Sequence, residues 1–150
     1  HDYNMLIGDR MAEDIKIDWG SALPIKDERK VMVRGRDIIT GLPQTAEITA
    51  GKIYEALHGP CQQILKAIRD VLDKAPPELA GDILRKGIYL MGGGAQLYGI
   101  DRYLASELGL PVMLAKDAMM CAAVGVGHLA ENVNLLSRIG RSTFMRDEAE

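Results

Sequence analysis

The sequence predicts an α/β protein in two unequal parts, and three observations carry that reading. Lys30–Asp37 and Gln44–Thr49 alternate apolar and polar residues as half-exposed strands do. A long segment from about Ala50 to Asp73 keeps apolar residues at helical spacing. Short apolar segments at 87–91 and 112–115 are separated by a helical stretch, the pattern of a parallel βαβ unit. Residues 1–50 therefore read as a small outer unit of one helix plus a strand pair, 51–136 as an α/β unit, and 137–150 as a charged tail. Two strands are too few for a sheet covered on both faces. The remaining strands are expected in a longer parent chain or in a partner. The opening, His1-Asp2-Tyr3-Asn4 without an initiator Met, points the same way.

In order along the chain, Asn4 to Ile7 is a short apolar entry closed by Gly8. Asp9 is the expected N-cap of a helix whose Met11, Ile15 and Trp19 lie four apart on one face, and Gly20 ends it. Ser21 to Arg29, with Pro24 and four consecutive charges, reads as a loop. The two strands follow, joined by Ile38–Leu42, which is longer than a tight hairpin connection. In the long helix, Ile53, Leu57, Ile64, Ile68 and Leu72 form the expected buried stripe, widened by Ala56, Ala67 and Val71, with a kink at Gly59-Pro60. Pro76 and Pro77 end that helix and start a short one. Gly87–Leu90 reads as a buried strand, Leu97–Leu108 as a helix, and Val112–Ala115 as the second parallel strand. Asp117 is the expected cap of a last helix, Ala118–Asn132, whose Gly125 and Gly127 suggest close packing on a neighbour. Leu135 and Leu136 continue its apolar surface.

Composition narrows the functions. At 47% hydrophobic and 26% charged residues, the chain has the balance of a soluble globular protein. A net charge of −3 supplies no basic footprint for nucleic acid. Cys61 and Cys121 lie far apart without metal-ligand spacing and read as small apolar residues of a reducing compartment. His1, His58 and His128 are scattered. No apolar run reaches the roughly 20 residues of a membrane span, and no signal-peptide pattern opens the chain.

Met91-Gly92-Gly93-Gly94 is the one stretch with the form of a site. It follows a strand and feeds a helix, and its glycines present bare backbone to anything that approaches. The G-x-G-x-x-G and Walker spacings are both absent. Alone, the stretch fits a tight structural turn as well as a nucleotide contact. Ala118–Val124, with Met119 and Met120, reads as core packing or as an adaptable contact surface.

Four motifs in order change the balance. Leu6–Ile17, Val33–Asp37 with Gly41-Leu42-Pro43, Pro76–Ala80, and Gly92-Gly93-Gly94 followed by Gly99-Ile100-Asp101 together resemble the C-terminal part of the MreB/Mbl family of bacterial actin-like, rod-shape-determining proteins. The resemblance covers about Asn4 to Leu136. It implies part of an actin-like, RNase-H-like ATPase fold: the outer subdomain and some of the inner subdomain of the second lobe. In that family ATP lies between two lobes, with Mg²⁺ at the phosphates. The adenosine-binding turn would fall on Met91, Gly92, Gly93 and Gly94, and the second contact on Glu13, Asp14, Ile15 and Lys16. Glu13 and Lys16, three apart on a helix, suit ribose hydroxyls and base edges; they suit a solvated ion pair equally well.

The resemblance also implies self-assembly into filaments, a link to the cell-wall synthesis machinery, and a cytoplasmic location with membrane attachment through the first lobe. No D-x-G-T-type phosphate loop occurs in this sequence, so this chain alone is expected not to hydrolyse ATP and to bind it weakly or not at all. It departs from the family at Ala118 and Val124, where a Pro and an Arg are usual, which fits a specialised paralogue. A nucleotide-free interaction module and a sugar-kinase or chaperone-type ATPase are the other readings, and the latter lack the Val33–Pro43 and Pro76–Glu78 patterns.

Overall fold

The outer part is built on a three-stranded antiparallel sheet. In this computed structural model, which describes residues 2–26, 29–132, 134 and 137, β1 (Met5–Leu6) pairs with β2 (Lys30–Asp37), and β2 with β3 (Pro43–Thr49). Met5 stands opposite Asp37, and Val33 opposite Ala46. The strand pair is thus a triplet. The entry segment is too short to show alternation, and only its ladder with β2, extended by the Ile38 N–H to the Asn4 carbonyl, makes it a strand. His1, Asp27, Glu28, Leu135, Leu136 and the tail from Arg138 lie outside the described residues.

The β2–β3 connection is ordered by one carboxylate. Asp37 Oδ1 accepts from the Ile39 and Thr40 N–H groups at 2.9 and 2.6 Å and from Thr40 Oγ1 at 3.0 Å. Those bonds, Thr40's backbone N–H foremost, hold the Asp37 pKa below its ordinary 3.8. The clamp presents Ile38, Ile39 and Leu42 to solvent.

Helix α1 (Asp9–Trp19) starts one residue earlier than expected. Gly8 is its N-cap, and Asp9 sits inside the first turn, where a negative charge meets the helix dipole. Met11, Ile15 and Trp19 are its half-buried residues, as the four-residue spacing required.

Helix α2 (Ala50–Leu72) is capped by Thr49 Oγ1, which accepts from the Lys52 N–H at 3.3 Å. It continues as one helix through Pro60. A proline costs one hydrogen bond, and Ile53 before it and Cys61 and Leu65 after it are all buried. Of the expected stripe, Ile53 is buried and Leu57, Ile68 and Leu72 are half-buried; Cys61 and Leu65 join it as buried residues, whereas Ile64, Ala56, Ala67 and Val71 are exposed. Burial pushes the Cys61 thiol up in pKa, so it acts as an inert apolar group.

The inner part continues with α3 (Pro77–Lys86), β4 (Ile88–Leu90), a 3₁₀ turn (Gly93–Gln96), α4 (Ile100–Leu108), β5 (Val112–Leu114) and α5 (Cys121–Glu131). Strands β4 and β5 pair in parallel, Ile88 with Val112 and Leu90 with Leu114, with α4 as the crossover. Ala22, Cys61, Leu65, Ile100 and Leu104 form the core, with Leu90, Leu97 and Val112 packed against it. Only one face is covered. Strand β4 is half-buried and not buried, and Tyr89 is exposed on it.

Two expectations about the last helix fail. Asp117 does not cap it; the N-cap is Met120, without a side-chain bond. No residue of α5 is buried, and Gly125 and Gly127 face open space. Of the Ala118–Val124 stretch only Ala118 is in the core, while Met119, Met120 and Val124 are exposed.

Leu104 is fully buried. Leu104→Ala should lower unfolding free energy by about 2–5 kcal/mol, the usual cost of such a cavity, read as a lower urea midpoint. The Asp37 clamp has a pH signature. Its pKa is depressed on folding, so its contribution is present above 3.8 and is lost as pH falls through the lower folded value. The Thr40 amide proton shift should titrate with a midpoint below 3.8; a midpoint at or above it would count against the clamp.

Candidate nucleotide-binding site

The three glycines have three different reasons to be there. Gly92 sits at φ 85°, ψ 174°, a conformation essentially closed to residues with a Cβ. Its N–H donates to the Ala118 carbonyl at 2.7 Å, which ties the turn to the β5–α5 connection. Gly93 has ordinary φ, but a Cβ there would lie 3.2 Å from Met119 Sδ. Gly94 has neither constraint, and a Cβ would meet nothing within 4 Å. Gly93 and Gly94 open the 3₁₀ turn, so their N–H groups have no acceptor within it. At Gly92 and Gly94 the result is bare backbone with nothing within 4 Å of a Cβ position, which fits a planar ligand lying close to the main chain. Met91 is exposed beside it.

The α1 segment divides. Ile15 is half-buried and lines a groove of about 610 Å³ with Ile7, Ala12, Lys16, Ile53 and Leu57, between β1, α1 and α2. Glu13 and Asp14 are exposed. Lys16 Nζ lies 2.6 Å from Glu13 Oε2, in a pair about half exposed on each side. On the side chains alone this is the solvated ion pair. It keeps a second carboxylate oxygen and further ammonium protons for a diol or a base edge.

The two segments do not touch through any hydrogen bond or ion pair among the described residues; a seam below them sets their spacing. After α1 the chain turns at Gly20, and Ser21 makes a parallel bridge with Tyr98, just past the glycine turn. The Ala22 N–H donates to the Tyr98 carbonyl at 2.9 Å. Ser21 is fully buried, and its hydroxyl is satisfied by the Leu23 carbonyl and N–H at 2.7 and 3.0 Å. At Gly20 a Cβ would run into the Lys16 carbonyl oxygen and lie 2.9 Å from Leu97 Cδ1 and 3.1 Å from Leu57 Cδ1, so the backbone of α1 itself requires glycine there. Glu13 stands seven residues up α1 from Gly20, about 10 Å along the axis.

Sequence reading missed this seam and the loop under the turn. Ser21 and Tyr98 carry no motif, and only the Gly20 stop signal marks the place. Among the described residues no group of His, Cys, Asp and Glu is placed to hold a metal ion, and no helix is long and apolar enough to cross a membrane.

Known proteins share this fold. The profile of the family described as MreB/Mbl protein matches residues 1–138. The cell shape-determining protein Mbl of Bacillus cereus is 45% identical over 136 residues, 91% of this chain and 41% of that protein. The cell shape-determining protein MreB of Escherichia coli is 41% identical over 133 residues, 89% of this chain and 38% of that protein. The crystal structure of MreB 5 of Spiroplasma citri bound to AMPPNP superposes with TM-score 0.83 at 36% identity, covering 93% of this chain and 42% of that one. The fold is accordingly the expected part of the actin-like architecture. This chain spans about two fifths of the length of these relatives.

The three glycines should respond differently to alanine. Gly92→Ala carries the strain of a disallowed conformation, about 1–3 kcal/mol, whereas Gly94→Ala should be nearly neutral. Paired thermal melts of the two variants read the difference; equal losses would contradict the assigned geometry.

Proposed function

Because this chain belongs to the MreB/Mbl family, we propose that it is the C-terminal segment of an ATP-binding bacterial actin that polymerises and determines rod cell shape by organising cell-wall synthesis. The observation that carries the nucleotide part is the glycine turn, where a Cβ at Gly92 or Gly94 would meet nothing within 4 Å, tied through the Ser21–Tyr98 bridge to the end of α1. In this reading Met91, Gly92, Gly93 and Gly94 form the adenosine side of the site. Glu13, Asp14 and Lys16 contact ribose or base by their side chains, and Ile15 supports this segment by packing its side chain into the α1–α2 groove. Residues 1–50 and 51–136 act as outer and inner subdomains, and 137–150 as a tail.

The phosphates and Mg²⁺ fit differently. This sequence has no phosphate loop, and the described residues offer no set of carboxylates for the ion. Both functions belong to a first lobe, so this chain alone holds at most the adenosine end, weakly and without hydrolysis.

Self-association is head to tail, a heterologous contact that propagates into an open filament. The β2–β3 hairpin lies near that contact, since its clamped tip holds three apolar side chains in water. The cell-wall synthesis machinery is the partner that links such a filament to shape. The protein is cytoplasmic, with membrane attachment through the first lobe.

In a polypeptide that also carries the first lobe, Gly93→Val places a branched side chain where the purine would lie. ATP affinity should fall about tenfold, the scale of a 1.4 kcal/mol clash, and ATP-dependent sedimentation of filaments should fall with it. Unchanged affinity together with unchanged sedimentation would overturn this placement of the pocket.

A further inference from the structure

The β5–α5 connection, residues 115–120, lies under the glycine turn and is fastened to it. Gly92 donates its N–H to the Ala118 carbonyl, and Met119 Sδ sits 3.2 Å from where a Cβ of Gly93 would be. Asp117 takes a left-handed conformation, φ 51°, and its carbonyl accepts the Met120 N–H at 2.7 Å. This local turn puts Ala118 into the core, 4% exposed, and leaves Met119 outside at 60%. Met119 stands against the backbone of Gly93, in the turn on which the site is built.

We propose that Met119 is a ligand-contact residue of the nucleoside site, its thioether resting on the face of the purine that lies along Gly92–Gly94. The proposal rests on the nucleotide reading above and adds a third wall to it. The chemistry suits the place. Methionine is unbranched, has three rotatable bonds and a polarisable sulfur, and makes favourable contacts with aromatic rings. It carries no charge and reads no exocyclic group, so it recognises a flat aromatic surface, not ribose or phosphate. A branched or charged residue next to Gly93 would either fill the gap or require its own partner.

The test uses this chain, with its eight methionines labelled at the ¹³C methyl group. The Met119 signal is assigned by its loss in Met119→Leu, an exposed position where the fold tolerates the change. On titration with adenosine the Met119 methyl should move upfield from the purine ring current and saturate with the same midpoint as the Gly93 and Gly94 amides. Inorganic triphosphate should leave it in place, and Met119→Leu should weaken adenosine binding roughly 2- to 10-fold, the scale of a sulfur–aromatic contact. Movement of the glycine amides with a stationary Met119 methyl overturns this assignment and leaves the nucleotide reading standing. Equal movement with triphosphate also overturns it. If no resonance moves up to the solubility limit of adenosine, both fall together.

Discussion

The contact between Ser21-Ala22 and Leu97-Tyr98 is the constraint on which the rest of the molecule depends. It joins the end of the outer part's helix to the end of the inner part's glycine turn, in a bridge that is fully buried at Ser21. A buried hydroxyl and buried backbone groups are costly unless each finds a partner. Here the Ser21 hydroxyl turns back on Leu23, and Ala22 gives its N–H to the Tyr98 carbonyl, so the buried hydroxyl is satisfied and the two segments are joined. Ala22 then enters the core cluster with Leu65, Ile100 and Leu104. One short segment therefore sets both the orientation of α1 and the height of the glycine turn above the core.

The glycine turn is built by a different logic, in which conformation and not packing decides. Gly92 is required by its backbone angles, Gly93 by its neighbour, and Gly94 by neither. The Ala118 carbonyl holds the turn from below, and the left-handed Asp117 gives the loop the bend that brings this carbonyl within reach. Two irregular segments, each unremarkable alone, thus stiffen one another. Such mutual support is what keeps a site open before a ligand arrives.

The exposed apolar surfaces follow from a sheet of two strands and a last helix that buries nothing. Tyr89 on β4, Leu114 on β5, and Val124 and Val126 on α5 all stand in solvent. A chain of about two fifths of its relatives' length carries faces that, in the longer protein we propose, other elements cover. The hairpin tip is of another kind. Its Ile38, Ile39 and Leu42 are held out by a clamp of three hydrogen bonds on Asp37, which orders the loop without burying it.

Local pattern determined most of the elements. Alternation placed β2 and β3, helical spacing placed α1 and α2, the proline pair started α3, and strand–helix–strand order gave the parallel β4–β5 pair. The ordered motifs gave the family, because several weak signals with fixed spacing are specific together. What failed needed distant partners. Strand β1 exists only through its ladder with β2, and Cys61 and Leu65, not Ile64, face the core because α4 lies on that side. The glycine triplet was legible as backbone open to a ligand, yet nothing local showed which glycine is conformationally required or that Met119 lies against it. Sequence determined by itself what each segment could form, since propensity and periodicity act within a few turns of chain. Only the tertiary structure decided which faces meet and how far α1 stands from the glycine turn, because those distances are set by a buried seam between residues 21 and 98 that no local pattern records.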